Sequence, residues 1–170
     1  MAWRRRQTVQ AAPAEADWVA REFTRRGLAP PHCTPEALAR ALERERRITI
    51  EFKCHPSDDP GVYGLLYHPK GRPRTYVIVL RQTPSLALRR LVMFHELAHL
   101  LFDHALKAVA GEGELCGYLV ADADDAKAEA FAVGAMQYSF LDTDAWTVSA
   151  AADVSMSVFG QFLKQTWYWP

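Results

Sequence analysis

The chain has 170 residues and no net formal charge at pH 7, with 49% hydrophobic and 24% charged residues. This describes one globular domain large enough to bury a core, and no apolar run reaches the roughly 18 residues that a membrane span requires. Three cysteines, Cys33, Cys54 and Cys116, are odd in number and far apart; they do not read as a disulfide framework, and the basic start Arg4-Arg5-Arg6 lacks the apolar stretch of a secretory signal.

A cytoplasmic location is therefore expected. The charge is unevenly spread: residues 1–53 hold eleven Lys/Arg against seven Asp/Glu, residues 54–100 six against three, and residues 101–170 three against ten. Such asymmetry can mark a partner surface. No basic stripe interleaved with aromatics accompanies it, so no direct nucleic-acid binding is expected, and no membrane partner either.

In chain order, residues 1–12 have no apolar period. Ala14 to Arg26 reads as a helix with Trp18, Val19 and Phe23 on one side and Gly27 to end it. The prolines of Leu28-Ala29-Pro30-Pro31 make a linker, and Thr34-Pro35 is an N-cap followed by proline at the first helical position. That second helix runs to about Arg46, with Leu38 and Leu42 inward. Ile48 to Lys53 alternates apolar and polar residues, as a half-buried strand does. Asp58-Asp59-Pro60-Gly61 and His68-Pro69-Lys70-Gly71 are turns separating two more strands, Val62 to Tyr67 and Thr75 to Leu80. Short turns between three strands predict a small antiparallel meander, so the expected class is α+β: a three-stranded antiparallel sheet packed on helices. Thr83-Pro84 starts a long helix expected to last to about Leu106. Residues 107–121 read as a loop, Asp122 to about Phe140 as a helix, and Asp153 to Thr166 as a final helix before the aromatic end Trp167-Tyr168-Trp169-Pro170.

The long helix contains His95-Glu96-Leu97-Ala98-His99, an H-E-x-x-H pattern flanked by Val92, Met93 and Phe94 and by Leu100, Leu101 and Phe102. Residues four apart share a helix face. His95 and His99 can thus grip one Zn²⁺ while Glu96 serves as the general base. A helix this apolar is a buried one, and each unpartnered polar group buried on it would cost on the order of 2–7 kcal/mol. A metal removes that cost. A catalytic zinc uses three protein ligands, and Asp125 and Glu129, again four apart, are the candidates: one binds the metal while the other hydrogen-bonds a ligand histidine.

These two elements together resemble the ImmA/IrrE family of metallopeptidases. The family's second motif, E-x-x-A-(N/D/E)-x-F-A, falls on residues 125–132, where Ala128, Phe131 and Ala132 match and Glu129 occupies the variable acidic position. Asp125 stands where the family usually has a glutamate ligand, one methylene longer. The Leu-Leu-Met-Pro that often follows is replaced by Val133-Gly134-Ala135-Met136, and no helix-turn-helix is evident. The resemblance covers about residues 34–136 and implies a zincin-like core over residues 34–140, within a single domain completed by an N-terminal helix and linker (1–33) and a C-terminal helix and aromatic tail (141–170).

It further implies a zinc-dependent endopeptidase that cuts a specific intracellular protein, such as a transcriptional repressor. In that reading His95, His99 and Asp125 hold the metal, with Glu129 as the alternative third ligand. Glu96 moves the proton, and Tyr63, Tyr67, His68 and His104 are candidates to stabilise the oxyanion. His104, one turn and one residue past His99, is expected off the metal. Two alternatives remain: a zinc-stabilised module that binds a partner without cutting it, and a zinc hydrolase acting on a non-protein amide.

Overall fold

The apolar β-branched run Val77-Ile78-Val79 belongs to the central strand of a three-stranded sheet, and the stretch that carries Glu51 and Lys53 lies at one of its edges. The computed structural model describes residues 13–55, 64–82, 86–104, 107–108, 118–119 and 122–139; at 13–17, 55, 107, 108, 118, 119, 122, 123, 125 and 137 the description is of the backbone alone. Four helices, α1 (Pro13–Arg25), α2 (Pro35–Arg46), α3 (Leu86–Leu101) and α4 (Asp122–Ser139), accompany strands β1 (Thr49–His55), β2 (Gly64–Tyr67) and β3 (Thr75–Arg81). The α+β class holds. Among the described residues, no helix is long and apolar enough to cross a membrane.

The strand pairing differs from a meander. The order is β1-β3-β2, with β2 antiparallel to β3 and β1 parallel to it, Phe52 pairing Ile78 and Leu66 pairing the same residue from the other side. Chain order favours β2 in the middle. Burial favours β3, where Val77, Ile78 and Leu80 are at most 1% exposed, while Glu51 and Lys53 of β1 need the solvent at an edge. Residues 107–108 and 118–119 are also not simple loop: Lys107–Ala108 and Tyr118–Leu119 form a short antiparallel ladder, β4 and β5.

The N-cap of α2 is as the sequence indicates. Thr34 is extended (φ −96, ψ 156) and its Oγ1 accepts from the Ala37 N–H at 3.1 Å, with Pro35 at the start of α2. Such a cap contributes about 0.5–2 kcal/mol. Helix α3 stops at Leu101, short of Leu106, because Asp103 turns left-handed at φ 53. The structure of residues 83–85, with the Thr83-Pro84 cap, lies outside the described residues, as do Phe140, the helix expected over 153–166 and the aromatic tail.

One apolar cluster joins the layers. Phe23 of α1 stacks on Phe131 of α4 at 5.9 Å between ring centroids and meets Phe94 of α3 edge-on at the same distance. Ala128, Ala132 and Ala135 keep the facing side of α4 flat, each fully buried, which lets α4 pack closely on α3. Gly134 does the same toward α1, since a Cβ there would stand 2.8 Å from Val19 Cγ2. The result is that α3 is walled in by the sheet, α2 and α4.

Candidate metal centre

Every residue of α3 from Leu91 to Leu101 is buried, including three that titrate: His95 at 3% exposure, Glu96 at 0% and His99 at 2%. Helical spacing brings the two imidazoles together as expected, with Nε2 of His95 and Nε2 of His99 3.0 Å apart. Burial is the main reason both rings stay neutral. It pushes the His95 pKa down to about 3, with His104 adding to the effect, and the His99 pKa down to about 2, with His95 and His104 adding.

Two neutral rings facing each other through Nε2 place lone pair against lone pair unless a proton or a cation lies between them. This donor pair fits a zinc ion. Ligands held about 2.0–2.1 Å from a tetrahedral metal lie roughly 3.3 Å apart, so a small opening of the 3.0 Å pair would admit one.

Glu96 occupies the same turn, and its surroundings explain a glycine that the sequence reading passed over. Strand β2 runs so close to α3 that a Cβ at Gly64 would stand 2.4 Å from Val92 Cγ1 and 2.8 Å from Glu96 Oε1. The glycine brings an edge strand up to the carboxylate. No pattern in the sequence marks it, because the close approach is a tertiary contact.

The acidic candidates lie on α4. Glu129 is half-buried there, next to the fully buried Ala128. Asp125 is on the same helix, and its side chain lies outside the described residues. Among the residues whose side chains are described, no group of three His, Cys, Asp or Glu assembles around a point where an ion could sit. The structure adds a third histidine to the cluster: His104, 9% exposed, places its Nδ1 3.0 Å from Nδ1 of His99, on the ring edge away from His95. Its Nε2 is 3.7 Å from Oδ1 of Asp124. A cavity of about 150 Å³ opens beside His99 and His104, bounded by Arg46, Ile48, Tyr76, Leu100 and Asp103.

Of the oxyanion candidates, His104 lies in this cluster. Tyr67 is buried in β2, His68 meets Tyr76 edge-on at 5.3 Å, and Tyr63 lies outside the described residues. Burial pushes the Cys33 thiol up to about 11, Cys54 is exposed in β1, and Cys116 is outside the described residues.

A buried helix with paired histidines and an adjacent glutamate, set against a small sheet, defines a metallopeptidase-like domain. A family model described as the IrrE N-terminal-like domain, a peptidase family, matches residues 45–136, more than half of the chain and the whole span from the end of α2 into α4. The chain belongs to that family. Comparison with curated proteins gave no match.

Proposed function

We propose that the protein is a zinc-dependent endopeptidase, with His95 and His99 holding the metal, Asp125 as the third ligand and Glu129 as the alternative. The observation that carries this reading is the convergence of two buried, neutral imidazoles at 3.0 Å on the same turn as a fully buried glutamate. Zinc held there supplies a Lewis acid that polarises the scissile carbonyl and makes the attacking water more acidic. Glu96 takes the proton from that water on its carboxylate and returns it to the leaving amide nitrogen.

A peptide substrate suits the surroundings better than a small amide. Among the described residues β2 pairs with a strand on one side alone, and an edge strand offers backbone groups to an extended chain. Gly64 sets the start of that strand beside Glu96. By the family resemblance, the substrate is an intracellular protein such as a transcriptional repressor.

The test is digestion of a mixture of unstructured peptides, read by mass spectrometry, with zinc-loaded wild type and Glu96→Gln. Cleavage at recurring positions by the wild type is expected, with a loss of about 10²–10⁴-fold in a variant that retains its zinc. Equal cleavage by both would contradict the assignment of Glu96. Zinc-loaded wild type that binds peptides and cuts none would favour the non-cleaving module, for which Asp125 in place of glutamate is the motivating feature.

A further inference from the structure

We propose that His104, backed by Asp124, is a positioning residue that fixes the tautomer and orientation of His99 for metal binding. The inference rests on the zinc reading above and extends it to residues outside both sequence motifs.

The geometry begins at the end of α3. The His104 N–H donates to the His99 carbonyl at 3.1 Å and the Asp103 N–H to the Leu100 carbonyl at 3.3 Å, with Asp103 left-handed at φ 53. This is a Schellman reversal. On an unbroken helix, a residue five positions on would face about 140° away. The reversal instead folds the chain back on its last turn, so the ring of His104 meets the ring of His99 at 5.2 Å between centroids. A left-handed residue other than glycine is costly, and Asp103 is held there by α2. Arg46 pairs with both carboxylate oxygens of Asp103 and donates to the Leu101 carbonyl at 2.8 Å. Phe102, with its ring centroid 5.6 Å from that of His104, limits how far the histidine can swing.

One placement of protons suits the contacts among His95, His99, His104 and Asp124. A histidine that binds metal through Nε2 carries its proton on Nδ1. The atom opposite Nδ1 of His99 is Nδ1 of His104, at 3.0 Å. That atom accepts the hydrogen bond if the proton of His104 is on its own Nε2. The Asp124 carboxylate, 3.7 Å from that Nε2, favours a proton there; at this distance its influence is electrostatic and not a hydrogen bond. With His99 set in this way, its Nε2 lone pair points at His95 Nε2 and is available to a cation. Groups that orient a metal-binding histidine typically matter about 10–100-fold in metal affinity.

The experiment measures zinc affinity by competition with a chromophoric chelator for wild type, His104→Ala, His104→Asn and Asp124→Asn. Cobalt absorption spectra and melting of the metal-free proteins accompany it. His104→Ala should bind zinc about 10–100-fold more weakly, with an unchanged stoichiometry and cobalt spectrum. His104→Asn, whose amide oxygen can accept in place of Nδ1, should recover most of the loss. Asp124→Asn should weaken binding measurably, by up to about tenfold; its partly exposed site makes it the informative variant if His104→Ala does not fold, and wild-type affinity in it would then overturn the proposal. Wild-type affinity in folded His104→Ala would overturn the proposal. So would an asparagine variant as weak as alanine, or a lost site with an altered cobalt spectrum, which would make His104 a direct ligand. Wild type that takes up no zinc would instead remove the metal reading itself, and is recognisable before any variant is compared.

Discussion

Replacing Gly64 by alanine adds one methyl group and tests whether β2 and α3 are as closely fitted as the site requires. The new Cβ would stand 2.4 Å from Val92 Cγ1 and 2.8 Å from Glu96 Oε1. Carbon atoms pack best about 3.5–4.0 Å apart, so the first contact is more than 1 Å too short and neither neighbour has free space. Val92 is 3% exposed and Glu96 0%. Overpacking of this kind costs about 1–3 kcal/mol, and at roughly 2–4 °C per kcal/mol for a chain of this size the melting temperature should fall by about 2–12 °C. The two clashes can be separated. Val92→Ala removes the carbon contact and leaves the carboxylate contact. The Gly64→Ala/Val92→Ala pair should therefore be less destabilised than the sum of the single changes, by about 0.5–3 kcal/mol, yet still be impaired in peptide cleavage because Glu96 remains displaced. Denaturant melts of the four proteins measure the coupling, and the peptide digest reads the activity. Gly64→Ala with wild-type stability and wild-type cleavage would refute the close approach of β2 to Glu96.

Acidification should unfold the metal-free protein early. His95 and His99 have folded pKa values pushed down to about 3 and about 2 from 6.5, so below pH 6.5 the unfolded chain binds protons that the folded chain does not. Stability from this source is thus present above 6.5 and falls as pH drops from there toward 3; urea melts at pH 7.5, 6 and 5 would show it, and a flat profile would contradict burial of neutral rings. Phe131→Ala should cost about 3–5 kcal/mol, because this fully buried ring touches Trp18 and Phe23 on α1 and Phe102 just past the end of α3; a loss under about 1 kcal/mol in a denaturant melt would mean that α1 is not seated on α4. Thr34→Ala should lower stability by about 0.5–2 kcal/mol through loss of the bond to the Ala37 N–H, also read by denaturant melt.

The parts of the molecule that were readable from residues alone are those governed by local chemistry. The helix carrying His95, Glu96 and His99 announces itself by spacing and by the apolar residues around it, and Thr34-Pro35 marks the start of α2 by its capping chemistry. The pairing of β1 with β3 was not readable in this way. It is decided by which strand can be buried on both sides, a competition among whole strands that adjacency in the chain does not record. The end of α3 depended on one residue, Asp103, adopting a left-handed conformation that Arg46, 57 positions earlier, helps to hold. His104 entered the cluster only through that reversal, since a continued helix would have carried it off the face shared by His95 and His99. Gly64 gained its meaning from Val92 and Glu96, which face it across the sheet–helix contact.

That His95 and His99 hold a metal is tested most directly by the zinc content of the purified chain after dialysis against trace zinc. Wild type should retain one zinc per chain, and the His95→Ala/His99→Ala double variant none. A metal-free wild type, or a double variant that keeps the same stoichiometric zinc, would contradict it.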